Sequence, residues 1–187
     1  MARHGQLFNM PIVLNGTTGD ISGSSLTGID TGKILQVVQT VKTDVSSRGG
    51  SSGTDALAAI SGLSVNITPS ATSSKIHVVV NIKQGSSSTA WVRYQLQRDS
   101  TAIYLGDAAS GKTPRTNFTL VGGDYGLSTV SENFLDSPNT TSQITYQVYW
   151  GVRTESGKIA YINRTGYDTG DYAERTASSI TAMEIEA

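Results

Sequence analysis

Cysteine is absent from this 187-residue sequence, and charged residues are scarce. Without cysteine the chain has no disulfide framework, no cysteine nucleophile and no thiolate metal site. Asp, Glu, Lys and Arg make up 16% of the residues, against about 25% in a typical domain. The formal net charge is −1 and no run of like charge occurs, so the basic stripe of a nucleic-acid binder is missing. We therefore expect no nucleic-acid partner.

Long apolar stretches are missing as well. None approaches the roughly 18 residues that indicate a membrane-spanning helix, so we expect no membrane span. Residues 1–11 lack the apolar run of a secretory signal. On this basis we expect synthesis in a cytoplasm, and a place outside the cell only as part of a larger particle.

The abundant residues favour strands and turns. The polar excess consists of Ser, Thr, Asn and Gly, which disfavour helices. Alternating or β-branched segments predict strands over 34–41, 63–68, 76–83, 91–97, 102–105, 117–121, 127–130, 144–152, 158–164 and 178–187. The pattern suggests a single helical turn only at 55–60, and a flexible loop at 48–53. Many short strands without helices between them predict an all-β fold, an antiparallel sandwich or jelly roll.

The last strand is apolar on both faces. Ile180 and Ala182 point one way, while Met183 and Ile185 point the other. A strand of this kind must be covered on both sides. We expect one side to pack in the domain core and the other to meet a neighbouring subunit.

Residues 1–31 differ from the rest and predict an extended N-terminal arm ahead of a domain over 32–187. Turn and linker residues dominate the arm. A few apolar side chains in it suit docking on a partner, namely Leu7, Phe8, Ile12, Val13 and Leu14. The alternative is a frayed terminus with scattered apolar residues.

One segment matches a nucleotide-binding motif. Residues 106–113 satisfy the pattern G-x-x-x-x-G-K-[ST] and follow a predicted strand. The phosphates in such a loop lie at the positive end of a helix that begins at the Lys. Here Pro114 follows at once, and residues 116–121 have strand character. We interpret the segment as a Gly/Ser hairpin loop and expect no nucleotide cofactor.

Catalytic and metal-binding patterns are weak. His4 lies in the arm and His77 on the polar face of a strand, and no pattern places either beside a nucleophile and a carboxylate. The acidic loop 168–174 offers the oxygen ligands that calcium prefers, but its spacing does not match an EF-hand. A Gly-rich acidic loop without metal is the alternative. We assign no catalytic, cofactor-binding or metal-binding residue and expect a protein that is not an enzyme.

Aromatic residues in loops give a milder hypothesis. Trp91 lies opposite a predicted buried strand face, and Tyr125, Tyr167 and Tyr172 lie in Gly/Asp-rich loops. Exposed Tyr and Trp are common in glycan and protein recognition. The alternative is that these rings pack over the bases of their loops.

Several segments resemble a jelly-roll domain found in structural proteins of tailed phages, notably marine and cyanobacterial ones. They are Gly32–Gln39, Ser74–Val78, Tyr94–Asp99, Tyr161–Arg164 and Ala177–Ile185. The resemblance covers about residues 32–187 and contains no catalytic signature. It implies a fold similar to the trimeric C1q and tumour-necrosis-factor jelly roll, in which the terminal strands lie toward the threefold axis.

The resemblance also implies a function. It indicates a homotrimeric virion structural protein on the particle exterior, made in the host cytoplasm, which acts as capsid decoration, as cement or as a short fibre tip. Residues 1–31 would bind other virion proteins, either the major capsid protein or a tail or fibre protein. Two alternatives stay open: a module that binds a host surface glycan or receptor, and an enzyme that acts on nucleotides through residues 106–113 or on glycans.

Overall fold

The structure is a computed structural model that describes residues 13–14, 21–22, 33–50, 56–153 and 157–186. The chain divides into two compact units, Met1–Thr31 and Gly32–Ala187. In the first unit, β1 (Val13–Leu14) and β2 (Ile21–Ser22) form a short antiparallel pair. The other features predicted for the arm lie outside the described residues, and its role as an anchor stays a prediction. Within the described ranges, no helix is long and apolar enough to cross a membrane.

The second unit is built from antiparallel strands. They are β3 (Ile34–Lys42), β4 (Ser46–Gly49), β5 (Ala58–Ile67), β6 (Lys75–Ser86), β7 (Ala90–Arg98), β8 (Thr101–Ile103), β9 (Asn117–Val121), β10 (Ser128–Asp136), β11 (Ile144–Val152), β12 (Ile159–Ile162) and β13 (Ser178–Ile185).

The first sheet is centred on β6. One edge of β6 pairs with β10, and the other edge pairs with β13 and then with β12. Because β12 and β13 follow one another along the same edge, they act as a single strand that residues 163–177 interrupt. Strands β3 and β4 pair with β13 and β12 in the same way. The sheet therefore has four strand positions.

The second sheet has the same plan. β5 pairs with β11, and β11 pairs with β7. The free edge of β7 pairs with β8 and then with β9, which act as one strand that residues 104–116 interrupt. This sheet also has four strand positions.

The strand order identifies the fold. When β3/β4, β8/β9 and β12/β13 each count as one interrupted strand, the second unit has eight strands, ordered 1-8-3-6 in one sheet and 2-7-4-5 in the other. An eight-stranded double sheet in which the first and last strands are neighbours is a jelly roll of two Greek keys. The prediction of an all-β antiparallel jelly-roll sandwich is confirmed.

Two local predictions are wrong. In the predicted flexible loop 48–53, residues 48–49 belong to β4 and pair with Ile159 and Ala160 of β12, while residues 51–53 lie outside the described residues. The predicted helical turn at 55–60 is contradicted because β5 begins at Ala58. The register of β5 against β11 shifts near Gly62, which has a φ of 77°. Such a bulge breaks the alternation on which a strand prediction depends.

The core lies between the two sheets and consists mostly of Val, Ile and Leu from the inward faces of β5, β6, β7, β11 and β13. Its largest fully buried side chains are Tyr94 and Tyr146. The Tyr94 hydroxyl donates to Gln84 Oε1 at 2.6 Å, so its buried oxygen is satisfied. Burial raises the pKa of the Tyr94 hydroxyl, which therefore stays a donor.

The closing strand β13 has the two predicted faces. Ile180 and Ala182 are fully buried in the core, while Met183 and Ile185 lie on the outer face and are partly exposed. This part of the prediction is confirmed. The contact of the outer side with a neighbouring subunit stays a prediction.

Candidate functional site

The outer face of the first sheet carries a row of three apolar side chains and one histidine. Val37, Met183, His77 and Leu135 are direct cross-strand neighbours on β3, β13, β6 and β10. Val37 is 58% exposed and Leu135 is 52% exposed. We call these four residues the apolar row. Cross-strand neighbours on one face lie within side-chain contact of each other, so the row is a continuous surface.

The composition of this face changes along the strands. Toward one end the apolar row continues into Ile185 and the exposed Ile34. Four residues away along β13, the neighbours Ser179, Asn81 and Ser131 are polar. The β3 neighbour of Ser179 in this row is the exposed Val41, so the apolar side chains are concentrated at one end of the face and the other end is mainly polar. Contiguous exposed apolar residues that polar residues border are typical of an interaction surface.

The structure places the two strand residues His77 and Trp91 on outer sheet faces. His77 lies on the outer face, as the strand pattern predicts, but its neighbours across the sheet are Met183 and Leu135. Trp91 lies on the outer face of the second sheet and stacks on Phe118, with 4.9 Å between the ring centroids. Neither residue lies in a cluster with the loop tyrosines described next.

Three tyrosines that are distant in sequence meet at one end of the sandwich. The ring of Tyr125 stacks on Tyr167 with 5.2 Å between centroids, and contacts Tyr172 edge-on at 5.3 Å. The three rings remain exposed: 59% for Tyr125, 46% for Tyr167 and 66% for Tyr172. We call these three residues the tyrosine cluster. The prediction that these rings lie exposed in loops is confirmed, whereas their convergence had no signal in the sequence.

Two loops hold the tyrosine cluster in place. Tyr125 comes from the β9–β10 loop, and the other two tyrosines come from residues 163–177. The backbone N–H of Tyr167 donates to the carbonyl of Asp124 at 2.8 Å, which joins the loops. The buried hydroxyl of Thr165 lies 2.7 Å from the Tyr167 carbonyl and 3.1 Å from the Tyr172 carbonyl. The rings are thus positioned by hydrogen bonds that do not involve the rings themselves.

Charged side chains border the tyrosine cluster. Asp168 forms ion pairs with Arg164 and Arg175, one to each carboxylate oxygen. The guanidinium of Arg164 in turn lies over the ring of Tyr161, 3.8 Å from its centroid. Among the described residues, no group of three or more Asp, Glu or His side chains is arranged to hold a metal ion. In the predicted acidic loop, the Asp168 carboxylate is therefore held by two arginines.

The segment that matches the P-loop pattern lies between β8 and β9. These two strands pair with the same edge of β7 and run in the same direction, so the predicted hairpin loop is wrong and the segment is an excursion from an edge strand. Lys112 is exposed, and no helix begins at it. The phosphate-binding element that the motif needs is absent from this segment.

A basic cleft of about 580 Å³ lies beside this excursion. Its lining includes Arg93, Arg115, Arg153 and Lys112, together with Asp107. Burial, and then the charges of Arg115 and Arg153, lower the pKa of Arg93. The cleft therefore concentrates positive charge on a chain that has a net charge of −1.

Comparisons with known proteins give structural likenesses only. No family model matches the sequence, and no curated protein matches it. Among solved structures, the chain is similar to a chain in the structure of infectious bursal disease virus, Gx strain. The two are 11% identical, with a TM-score of 0.45, and the match covers 94% of this chain and 42% of that chain. A crystal structure of the VP2 subviral particle of the same virus gives 13% identity and a TM-score of 0.39 over 94% of this chain and 43% of that chain.

The chain thus spans less than half the length of these solved chains. Because both TM-scores are below 0.5, we draw no conclusion about function from these likenesses. The assignment of the jelly roll rests on the strand order of the chain itself.

Proposed function

We propose that this chain is a non-enzymatic structural protein of a virion, a homotrimeric jelly roll on the particle exterior that serves as capsid decoration, cement or a short fibre tip. The observation that carries the proposal is the apolar row. Val37 and Leu135 hold more than half of their surface in water on the single chain. Burial of such surface against a second copy is favourable by about 25 cal/mol per Å².

The position of the apolar row supports closed symmetry. The row crosses all four strand positions of the first sheet, including the first and last strands of the jelly roll. In a closed ring each subunit contacts its two neighbours through two different patches, and the two ends of a row that spans the sheet from edge to edge can supply them. The proposed number of subunits, three, comes from the resemblance to trimeric jelly rolls of tailed-phage structural proteins.

Light scattering of the purified full-length chain tests the assembly. The expected mass is three times the 19.7 kDa of one chain. A monomer alone at micromolar concentration would rule out the trimer.

The attachment to the particle is assigned to residues 1–31, which bind the major capsid protein or a tail or fibre protein. Deletion of these residues should abolish attachment to particles and leave the trimer intact, because the compact unit Gly32–Ala187 contains the apolar row. Attachment that is unchanged after the deletion would refute the anchor. Loss of the trimer in the truncated chain would place the assembly contact in the arm instead.

A second candidate function is host adhesion through a surface glycan or receptor. The tyrosine cluster favours it, because three exposed aromatic rings on ordered loops are typical of recognition surfaces. Adhesion and assembly use different surfaces of the domain, so the two functions are compatible.

A further inference from the structure

We infer that the tyrosine cluster is a glycan-binding site and that its ligand is a chain of pyranose sugars. The inference rests on the second candidate function and names the class of its ligand; it does not depend on the assembly role, since one chain supplies every residue of the site. Tyr125 is the central residue: it contacts both other rings, and its ring lies at 72° to that of Tyr172. The two rings therefore form a corner rather than a flat plate.

The exposure of the rings is the first argument. The chain has eight tyrosines, and it buries two of them, Tyr94 and Tyr146, completely in the core. The three tyrosines of the cluster instead keep about half or more of their surface in water. Exposure of these aromatic rings to water is unfavourable, and a ligand that covers them gains the free energy of burying that apolar surface.

The rigidity of the site is the second argument. Thr165 is 1% exposed, and its hydroxyl contacts the carbonyls of both Tyr167 and Tyr172. A hydrogen bond from Tyr167 N–H to the Asp124 carbonyl fixes the second loop against the first. A site that is ordered before binding avoids the entropy cost of ordering it during binding.

The surrounding side chains decide the class of ligand. The two loops, residues 122–127 and 163–177, contain a single residue of the Val, Leu, Ile and Met class, the half-buried Leu127, so the site has little of the aliphatic surface that the core of a protein interface uses. It offers instead the negative ring faces that the stacking of Tyr125 on Tyr167 leaves exposed, which suit the C–H groups on the flat side of a sugar. The partly exposed Asp168 and Arg175 add a planar acceptor and a planar donor for neighbouring hydroxyl groups.

The contrast with the apolar row supports this choice. That surface consists of Val, Met, His and Leu side chains on a sheet face and suits another copy of the chain. The tyrosine cluster combines aromatic rings with Asp and Arg on loops. The two surfaces differ in chemistry, and we assign them different partners.

The test uses the full-length protein on a glycan array that carries bacterial O-antigens, capsular polysaccharides and neutral hexose oligomers. The wild-type chain should bind at least one of these glycans, and calorimetry with that glycan gives the reference affinity. Tyr125→Ala and Tyr172→Ala should each weaken binding by about tenfold or more. Tyr125→Phe, which keeps the ring, should retain most of the affinity.

Tyr104→Ala is the matched control. Tyr104 is also an exposed tyrosine that stacks on another ring, that of Phe134 at 5.1 Å, but it lies outside the cluster. Its variant should bind the glycan as the wild type does. The inference is overturned if the wild type binds no glycan on the array, or if Tyr125→Ala and Tyr172→Ala bind as tightly as the control.

Two further outcomes separate this inference from the proposed assembly. If Tyr125→Ala changes the mass measured by light scattering, the tyrosine cluster is a subunit contact and the glycan site is refuted. If the protein is a monomer yet binds a glycan through the tyrosines, the trimer fails and the glycan site stands.

Discussion

At the scale of single residues, Glu184 links the closing strand to its surroundings. Its side chain is 1% exposed on the core side of β13. One carboxylate oxygen accepts a hydrogen bond from Gln36 Nε2 at 2.6 Å, and the other accepts from the N–H and hydroxyl of Ser70 at 2.7 and 2.6 Å. Burial alone would raise the pKa of Glu184, but these hydrogen bonds outweigh it and lower the pKa to about 2.

This shift predicts an acid-sensitive contribution to stability. The folded-state pKa of about 2 lies below the ordinary value of 4.5, so the stabilisation is fully present above pH 4.5 and is lost as the pH falls toward 2. Glu184→Gln replaces one acceptor oxygen with an NH₂ group that faces the donors of Gln36 or Ser70. Because two donors cannot pair, the variant should reduce the free energy of unfolding at pH 7 by roughly 2 kcal/mol. Urea unfolding between pH 7 and pH 2 measures both effects.

The control for this prediction is Glu186→Gln. Glu186 lies two residues further along, and its side chain is 52% exposed in a long contact of 3.8 Å with Lys33. Its variant should keep the stability and pH dependence of the wild type. If the free energy of unfolding of Glu184→Gln instead falls with pH as steeply as that of the wild type between pH 5 and pH 2, the Glu184 carboxylate is not the source of the acid sensitivity.

Single residues also mark where sequence patterns stop being informative. The alternation in 144–152 predicts Tyr146 as a core residue, and it is one. No pattern predicts its partners: the Tyr146 hydroxyl donates to Asp136 at 2.7 Å, and Arg98 Nη1 donates to both carboxylate oxygens of Asp136, at 2.8 and 3.0 Å. Alternation predicts which face of a sheet a residue is on. The side-chain hydrogen bonds between the two sheets depend instead on how strands of different sheets pack against each other, which alternation does not predict.

At the scale of elements, the loop 163–177 depends on close backbone contact with β6. A Cβ added at Gly166 would lie 2.0 Å from the Ser86 carbonyl oxygen and 2.9 Å from the Asp124 Cα. A Cβ added at Gly85 would lie 2.4 Å from the Arg164 carbonyl oxygen. Because all of these neighbours are backbone atoms, a side chain at either glycine forces the loop away from the strand.

Gly166→Ala should therefore disrupt the tyrosine cluster without altering a tyrosine. The expected loss of stability is about 1–3 kcal/mol, as for other overpacked positions. The near-ultraviolet circular dichroism of the stacked rings should weaken as the two loops separate. Gly106→Ala is the matched control, since a Cβ there meets nothing within 4 Å, and its spectrum should equal that of the wild type. An unchanged spectrum for Gly166→Ala would mean that the loops do not need this close contact.

The P-loop pattern shows how context decides the meaning of a motif. Its residue spacing in 106–113 is complete, but the segment leaves and re-enters the edge of the second sheet between β8 and β9. The phosphate site of a P-loop uses the N–H groups of a helix N-terminus, and no helix begins in this segment. Pro114 and the strand character of the following residues were sufficient to predict this outcome, although the sequence did not distinguish an excursion from a hairpin.

At the scale of the whole molecule, the fold class follows from local patterns and the topology does not. Strict alternation in β6 and β11 indicates half-buried strands, and the lack of helical periodicity excludes most other classes. The position of β13 between β3 and β6 is different, because it joins segments from opposite ends of the domain. The same crossing brings Met183 beside Val37 and His77, which turns four scattered residues into one apolar surface.

That surface gives the prediction that separates assembly from folding. Met183 lies on the outer face of β13 rather than in the core, so Met183→Asp should leave the isolated domain folded and convert the proposed trimer into a monomer. A carboxylate in the middle of the apolar row, between Val37 and His77, would lose its water on assembly, which is costly for a charge. Light scattering measures the mass, and far-ultraviolet circular dichroism checks the fold.

The matched control is Ser131→Asp on β10. Ser131 lies on the same outer face but at its polar end, beside Asn81, to which its hydroxyl is hydrogen-bonded at 2.9 Å. Ser131→Asp adds the same charge to the same sheet and should remain a trimer. If both variants stay trimeric, the subunits meet elsewhere and the apolar row is not the contact. If both become monomers, the whole face is buried in the assembly, and the contact extends from the apolar row to the polar end of the sheet.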